Sequence, residues 1–282
     1  MSWGGSNRTG AAFLSSACRR DCCSAAEEVP LAQTLYACLV VMDWDNPSLL
    51  RKMATGIRTL FYPPHCGACA SRLDDDDESL CDSCRAAILS PPEHLCPICS
   101  HPMHGIILCP NCEGRRWHLS VIVPGCRYEG LARELIQRFK YGGDQSLMRP
   151  LGDLILPAFR DPRLIGKEFD AIVPVPLHPL REREREFNQA ALLATRLAKH
   201  LDLPVAHLLK RNRATVAQTG FDRPHRLKNL EGAFEIRGVV EEGASLLLVD
   251  DVTTTGTTLN ACAAVLSAAG AGDICAVTVA RG

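Results

Sequence analysis

The chain reads as an α/β protein: a parallel sheet with helices on both faces over its C-terminal part, behind a small cysteine-rich metal-binding module. Three observations predict this. From about Ser120 onward, short apolar runs alternate with amphipathic stretches at helical spacing, the pattern of repeated strand–helix units. Four C-x-x-C pairs follow one another between Cys66 and Cys112. One apolar run, Leu246 to Val249, ends in two acids and a turn rich in Thr and Gly.

The chain has 282 residues, 46% hydrophobic and 22% charged, enough for a packed core in one large domain or two ordinary ones. A net charge of −1 argues against a protein that coats nucleic acid indiscriminately. The charge is uneven, however. Arg181 to Lys228 holds eleven Lys or Arg against five Asp or Glu, a stretch suited to phosphates. Fifteen cysteines would suggest disulfides in a small secreted chain. No secretory signal pattern opens this sequence, and the apolar run Leu35 to Met42 is too short to span a bilayer. The expected compartment is the cytoplasm, with attachment at the inner face of the membrane only through partners, and cytosolic paired cysteines point to metal.

Taken in order, residues 1–41 are rich in Ser, Gly and Ala and show no sustained period, so they are expected to be a disordered extension, with Met42 as an alternative start. Residues 42–64 are expected to hold a helix: Asn46 caps it, Pro47 opens it, Leu49, Met53, Ile57 and Leu60 form its apolar face, and Pro63-Pro64 ends it. Residues 65–117 form the cysteine module, whose acidic run Asp74 to Glu78 reads as a solvated loop. Residues 118–282 form the α/β domain. Within it, Leu131, Leu135, Ile136 and Phe139 predict a helix ending near Lys140-Tyr141-Gly142-Gly143. Ala171 to Val175 predicts a buried strand. Phe187 to Leu201 predicts a helix with Ala190, Ala194, Leu197 and Leu201 on one face. Leu246 to Val249 is a strand, Leu259 to Ala269 a helix stopped by Gly270, and Ile274 to Ala280 a last strand.

The cysteine pairs are Cys66/Cys69, Cys81/Cys84, Cys96/Cys99 and Cys109/Cys112, separated by eleven, eleven and nine residues. Each C-x-x-C turn places two sulfurs on one side of a knuckle, and two knuckles complete a tetrahedral site. Eight thiolates suit two closed structural zinc sites, with iron–sulfur the lesser alternative. Sequential and cross-braced pairings fit the spacing equally. A redox C-x-x-C is disfavoured by the four copies and by the lack of a thioredoxin-like strand before any of them. Cys126, Cys262 and Cys275 read as buried small hydrophobes.

The segment Asp250-Asp251-Val252-Thr253-Thr254-Thr255-Gly256-Thr257-Thr258 suits a phosphorylated sugar. Backbone N–H groups at a helix N-terminus hold a phosphate, the threonine hydroxyls add donors, and Gly256 allows close approach. Asp250 and Asp251 are acceptors for the vicinal hydroxyls of a ribose. A P-loop would need G-K-[ST] and a dinucleotide site G-x-G-x-x-G; neither is present.

This segment resembles the binding motif of type I phosphoribosyltransferases for 5-phosphoribosyl 1-pyrophosphate (PRPP). Further residues extend the likeness: Val173-Pro174-Val175-Pro176-Leu177-His178-Pro179, Arg181, Arg185, Phe187-Asn188-Gln189, Arg211, Arg213, Gln218, Arg223, Arg226, Asn229 and Ala233-Phe234. With the cysteine pairs and Lys140-Tyr141, residues 49–282 resemble the ComF family of late-competence proteins. The chain departs at Glu186, where a glycine is usual, and over Thr219 to His225.

The resemblance implies the type I phosphoribosyltransferase fold and a Mg²⁺-dependent transfer from PRPP to an unidentified nitrogen acceptor. It implies that Asp250 and Asp251 grip the ribose and that Thr253, Thr254, Thr255, Gly256, Thr257 and Thr258 cradle the 5′-phosphate. Val175, Pro176, Leu177, Arg181, Arg211, Arg213 and Arg226 would face the pyrophosphate, with Arg185 as a catalytic charge. Arg211, Arg213, Arg223 and Arg226 are expected on a closing loop, and residues 120–150 as a hood over the acceptor. Some superfamily members carry an acid where this chain has Thr254, which keeps a PRPP sensor without catalysis open. A further alternative is a non-catalytic competence factor that handles single-stranded DNA alongside competence-machinery proteins.

Overall fold

The computed structural model describes residues 63–75, 78–212 and 232–282. The N-terminal extension, the helix expected at 46–60, and Arg213, Arg223 and Arg226 lie outside the described residues. The cysteine module comes first and contains one short helix, α1 (Asp82–Ala86). It is built twice from the same turn. Cys66 N–H donates to the Ser71 carbonyl and Cys96 N–H to the His101 carbonyl, both at 2.8 Å, and small bridges His65/Arg72 and Leu95/Pro102 close the two knuckles.

The α/β part follows in chain order: β1 (Val121–Arg127), α2 (Gly130–Tyr141), α3 (Met148–Ile155), β2 (Ala171–Pro174), α4 (Pro179–Arg185), α5 (Gln189–Leu201), β3 (Leu209–Arg211), β4 (Phe234–Ile236), β5 (Leu246–Thr253), α6 (Thr257–Ala268) and β6 (Ile274–Arg281). Four strands form a parallel sheet in the order β1-β6-β5-β2. Both its faces are covered. Ile172, Leu247, Val249, Cys275 and Val277 pack against α2, α3 and α5, while Val173, Leu246, Leu248 and Ala276 pack against α6. Alternate residues of one strand thus serve opposite cores, which is why these strands read as continuous apolar runs.

The helices form where their patterns dictate. In α2, Ala132, Leu135, Ile136 and Phe139 recur at helical spacing and all are buried. Asn188 caps α5, its Oδ1 accepting from Ala190 N–H at 3.0 Å. Gly152 of α3 lies so close to Arg196 of α5 that a β-carbon there would come within 2.4 Å of its Cγ, so the two helices pack tightly.

The cysteine module closes one sheet edge. Ile122 N–H donates to the Ile98 carbonyl and Arg127 N–H to the Leu89 carbonyl, so edge strand β1 does not present a bare ladder. Leu73 and Leu80 of the module share the apolar cluster of α2 and α3.

Three expectations change. Strand β5 does not stop at Val249 but runs through both acids to Thr253, because β6 continues to pair with it as far as Arg281. Arg211 is not on a loop; it ends β3, whose antiparallel pairing with β4 sets it opposite Phe234. Residues 120–150 are not all hood: Val121–Arg127 is a strand of the sheet with its first four residues all buried, and Gly130–Tyr141 covers a sheet face.

Candidate functional site

The sulfurs of the module fall into two quartets, Cys66/Cys69/Cys81/Cys84 and Cys96/Cys99/Cys109/Cys112, each with its sulfurs within 4.8 Å of one another. The pairing is therefore sequential rather than cross-braced. Sulfur separations across pairs are 3.7 Å for Cys69–Cys81, 3.5 Å for Cys96–Cys112 and 3.6 Å for Cys99–Cys109. A tetrahedral ion with zinc–thiolate bonds of about 2.3 Å has edges of about 3.8 Å. The spacing thus fits one tetrahedral metal ion per quartet, and no disulfide links these cysteines. Cys126, Cys262 and Cys275 are buried, as their sequence setting predicts.

The second cluster of interest lies where β5 leaves the sheet. Asp251 faces α2, where the Lys140 ammonium meets its carboxylate at 2.8 Å. Burial lowers the Lys140 affinity for its proton, but the charge and hydrogen bond of Asp251 outweigh it, and the net shift is upward. Asp250, its neighbour along the strand, accepts from the Asp251 N–H at 2.9 Å and feels the charges of both Lys140 and Arg211. Desolvation first, then the adjacent Asp251 charge, push its carboxyl up to about 7. The two acids are therefore not equivalent: one is held in an ion pair, the other is poised near neutral pH.

Beyond them, Gly256 adopts a left-handed backbone with φ of 70° and caps α6, leaving the first-turn N–H groups of that helix without intrahelical partners. A β-carbon at Gly256 would meet Ile122 at 2.6 Å and the Trp117 ring at 3.0 Å, so glycine is required twice over. The hydroxyls of Thr255 and Thr257 are 2.7 Å apart. Thr254 is exposed, Thr255 and Thr258 are half-buried, and Thr253 and Thr257 are buried.

The loop after β2 lies beside β5. Val175 spends its N–H on the Val249 carbonyl and its carbonyl on the Asn188 side chain. Pro176 has no N–H, so Leu177 supplies the one backbone donor left among the three. Asn188 both caps α5 and ties down this loop. Arg185 stacks its guanidinium 5.2 Å from the Tyr141 ring centre and donates to Gln189 at 3.2 Å. Its charge is felt by Lys140, and those of Arg181 and Asp250 are felt by Arg211, so the described charged candidates share one neighbourhood. Arg211 lies 5.3 Å from the Phe234 ring centre, and burial lowers its proton affinity.

Sequence reasoning gave some contributors to this site no role in it, Lys140 among them although it is part of the family resemblance. Lys140 lies four residues beyond Ile136, on the apolar stripe of α2, and a cation on a core-facing stripe needs an acid. Asn111, Arg115 and Trp117 come from the cysteine module and its exit. Asn111 and Arg115 donate to the Thr255 carbonyl at 3.1 and 2.6 Å, and Arg115 also reaches the Thr257 hydroxyl at 3.3 Å. More than a hundred residues separate these partners, so no local pattern could reveal them.

Residues 57–113 match the model of the double zinc ribbon domain, and residues 188–282 match the phosphoribosyl transferase domain. Strands β1 and β2 lie upstream of the second match and complete its sheet. Fold and matches together define a double zinc-ribbon module joined to a phosphoribosyltransferase domain. Competence protein F of Haemophilus influenzae is 34% identical over 222 residues, spanning 76% of this chain and 95% of that protein. Competence protein ComFC of Bacillus subtilis is 32% identical over 65% of this chain and 76% of that protein. The DNA utilization protein YhgH of Escherichia coli K12 is 30% identical over 76% of this chain and 96% of its own length. The chain belongs to the ComF family. Among the described residues, no helix is long and apolar enough to cross a membrane.

Proposed function

We propose that this chain binds PRPP with Mg²⁺ at the carboxyl end of β5 and transfers its phosphoribosyl group to a nitrogen acceptor. The observation that carries this reading is the adjacency, on one strand end, of two unequal acids and a glycine-capped threonine turn. Paired carboxylates accept from vicinal hydroxyls, and the turn offers N–H and O–H donors to a phosphate dianion. The carboxylates also supply the hard oxygen donors that suit a ligand carrying a divalent cation. Mg²⁺, when bound with the ligand, would neutralise charge on the departing pyrophosphate.

In the transfer, the bond from the anomeric carbon to the pyrophosphate oxygen breaks and its electron pair leaves with pyrophosphate. The nitrogen lone pair forms the new bond. The chain's part is to hold the sugar by Asp250 and Asp251, to hold the 5′-phosphate by residues 253–258, and to set Arg181, Arg185 and Arg211 near the developing negative charge. Arg213 and Arg226 belong to the same proposal. The two metal sites are proposed to hold structural zinc.

Calorimetric titration of PRPP and Mg²⁺ tests this reading beside Asp250→Asn/Asp251→Asn. The expected result is saturable binding that the double variant loses, followed by pyrophosphate release with a productive nitrogen acceptor. A folded, metal-loaded protein that takes up no PRPP overturns it. The names of the relatives, competence and DNA utilization proteins, favour a second reading, DNA handling, which the basic stretch Arg181 to Lys228 would serve on a single strand. Binding through several phosphates then falls steeply between 50 and 200 mM salt, about 300-fold for six contacts on a single strand, whereas a PRPP site changes far less.

A further inference from the structure

The second ribbon does more than cover a sheet edge. Its last knuckle is Cys109-Pro110-Asn111-Cys112, so Asn111 sits between two metal-ligand candidates. The knuckle is a tight hydrogen-bonded turn: Cys112 N–H and Glu113 N–H both donate to the Cys109 carbonyl, and Arg115 N–H donates to the Cys112 carbonyl at 3.0 Å. From this turn two side chains cross to the threonine loop. Asn111 Nδ2 and Arg115 Nη1 donate to the same acceptor, the Thr255 carbonyl oxygen. Arg115 is itself braced on the Trp117 ring, 5.0 Å from its centre, and Trp117 lies directly beneath Gly256. Asn260 of α6 completes the clamp by accepting from His118 N–H and donating to the Arg116 carbonyl.

Holding a carbonyl fixes its whole peptide plane. The Gly256 N–H is anti to the Thr255 carbonyl, so the two donors from the ribbon turn that N–H away from the ribbon. It is the N–H that an anion at the start of α6 would meet first. The direction of this donor is therefore set by side chains whose backbone geometry depends on the Cys109–Cys112 turn, and that turn is held in shape by whatever joins the four sulfurs.

We propose that the Cys96/Cys99/Cys109/Cys112 metal site and the phosphate loop are one thermodynamic unit. Metal in the second ribbon pre-orders residues 255–257 for the 5′-phosphate through Asn111 and Arg115, and a bound sugar phosphate in turn retains the metal. The proposal rests on the PRPP reading of the loop. Arg115 and Asn111 are positioning residues in it. The first quartet, Cys66/Cys69/Cys81/Cys84, is not part of the unit, because its knuckles contact α2 and α3 rather than the loop. Linkage is reciprocal: the factor by which metal improves ligand affinity equals the factor by which ligand improves metal affinity.

The test is the rate at which N-ethylmaleimide alkylates each cysteine of the metal-loaded full chain, read by peptide mass spectrometry, with and without saturating PRPP and Mg²⁺. The expected result is a fall of about fivefold or more at Cys109 and Cys112 with no change at Cys69 and Cys81, since ligand and metal stabilise one state. Inorganic pyrophosphate with Mg²⁺, which lacks the 5′-phosphate, should give no protection. Arg115→Ala should weaken PRPP about tenfold and abolish most of the protection, with partial recovery in Arg115→Lys. The wild-type protection pattern decides the matter even if a variant does not fold. Wild-type PRPP binding with equal or no protection of the two quartets, or protection by pyrophosphate alone, overturns the linkage and leaves the PRPP reading standing. Absence of wild-type PRPP binding overturns both.

Discussion

Asp250 and Asp251 are adjacent in sequence and alike in chemistry, yet Asp251 meets the Lys140 ammonium at 2.8 Å while Asp250 accepts from the Asp251 N–H. Because burial and the Asp251 charge raise the Asp250 carboxyl to about 7, the folded state binds its proton more tightly than the unfolded chain does. Stability attributable to this group therefore falls as pH rises from the ordinary carboxylate range toward 7 and is flat above it. At pH 8, Asp250→Asn should be more stable than wild type by on the order of 1 kcal/mol, measured by urea unfolding, while PRPP binding is lost. Wild-type PRPP affinity should rise about tenfold between pH 6 and 8, as the carboxylate becomes available to the ribose hydroxyls, and a flat wild-type profile would show that Asp250 does not titrate there. Lys140 tests the other acid. Lys140→Met leaves Asp251, 7% exposed, without its cation and should cost about 3 kcal/mol. Pairing it with Asp251→Asn should recover about 2 kcal/mol of that loss in a double-mutant cycle. An equal, additive loss would show that the pair is not coupled.

At the scale of elements, the turn between α4 and α5 shows a local choice with a measurable cost. Glu186 closes α4 with φ of 65° and ψ of −15°, a left-handed conformation that a β-carbon resists. Glycine, with no β-carbon, adopts this conformation without strain. Glu186→Gly should stabilise the protein by about 1 kcal/mol, read as a higher urea midpoint with an unchanged slope. A loss of stability would mean that the glutamate side chain makes a contact worth more than the strain. The helices themselves were legible. Leu135, Ile136 and Phe139 announce α2, and Ala190, Ala194, Leu197 and Leu201 announce α5, which starts at Gln189 rather than Phe187, because periodicity is a local property. The end of β5 was not, since Asp250 and Asp251 look like the end of an apolar run. They remain in the strand because β6 supplies ladder partners, which is a non-local fact.

Taken whole, the molecule does not separate its metal module from its sheet. Cys66, Leu73 and Leu80 belong to the core cluster of α2, α3 and α5. Ser79 donates to Asp153 of α3, Arg163 donates to the Cys96 carbonyl and the Ser100 hydroxyl, and Arg281 at the end of β6 donates to the Cys99 carbonyl. Removing metal should therefore destabilise the whole described unit rather than unfold an appendage. Metal analysis should find two ions per chain. Stripping them with a chelator should lower the melting temperature by about 10 °C in scanning calorimetry, in a single transition. An unchanged main transition preceded by a small separate one would show an independent module.

Much of the protein was determined by sequence alone. Cysteine spacing announces two four-sulfur sites, alternation of apolar runs with helical faces announces a parallel sheet with two cores, and the acid–threonine–glycine segment marks the end of β5 where the ligand site is proposed. Each is a short-range pattern whose physics acts within a turn, a strand or a knuckle. The tertiary structure alone decided which cysteine pairs share a site, which cation answers Asp251, and that Asn111 and Arg115 hold the Thr255 carbonyl. Those contacts join residues far apart in the chain, and their geometry exists only once the sheet edge, the ribbons and α2 have packed together.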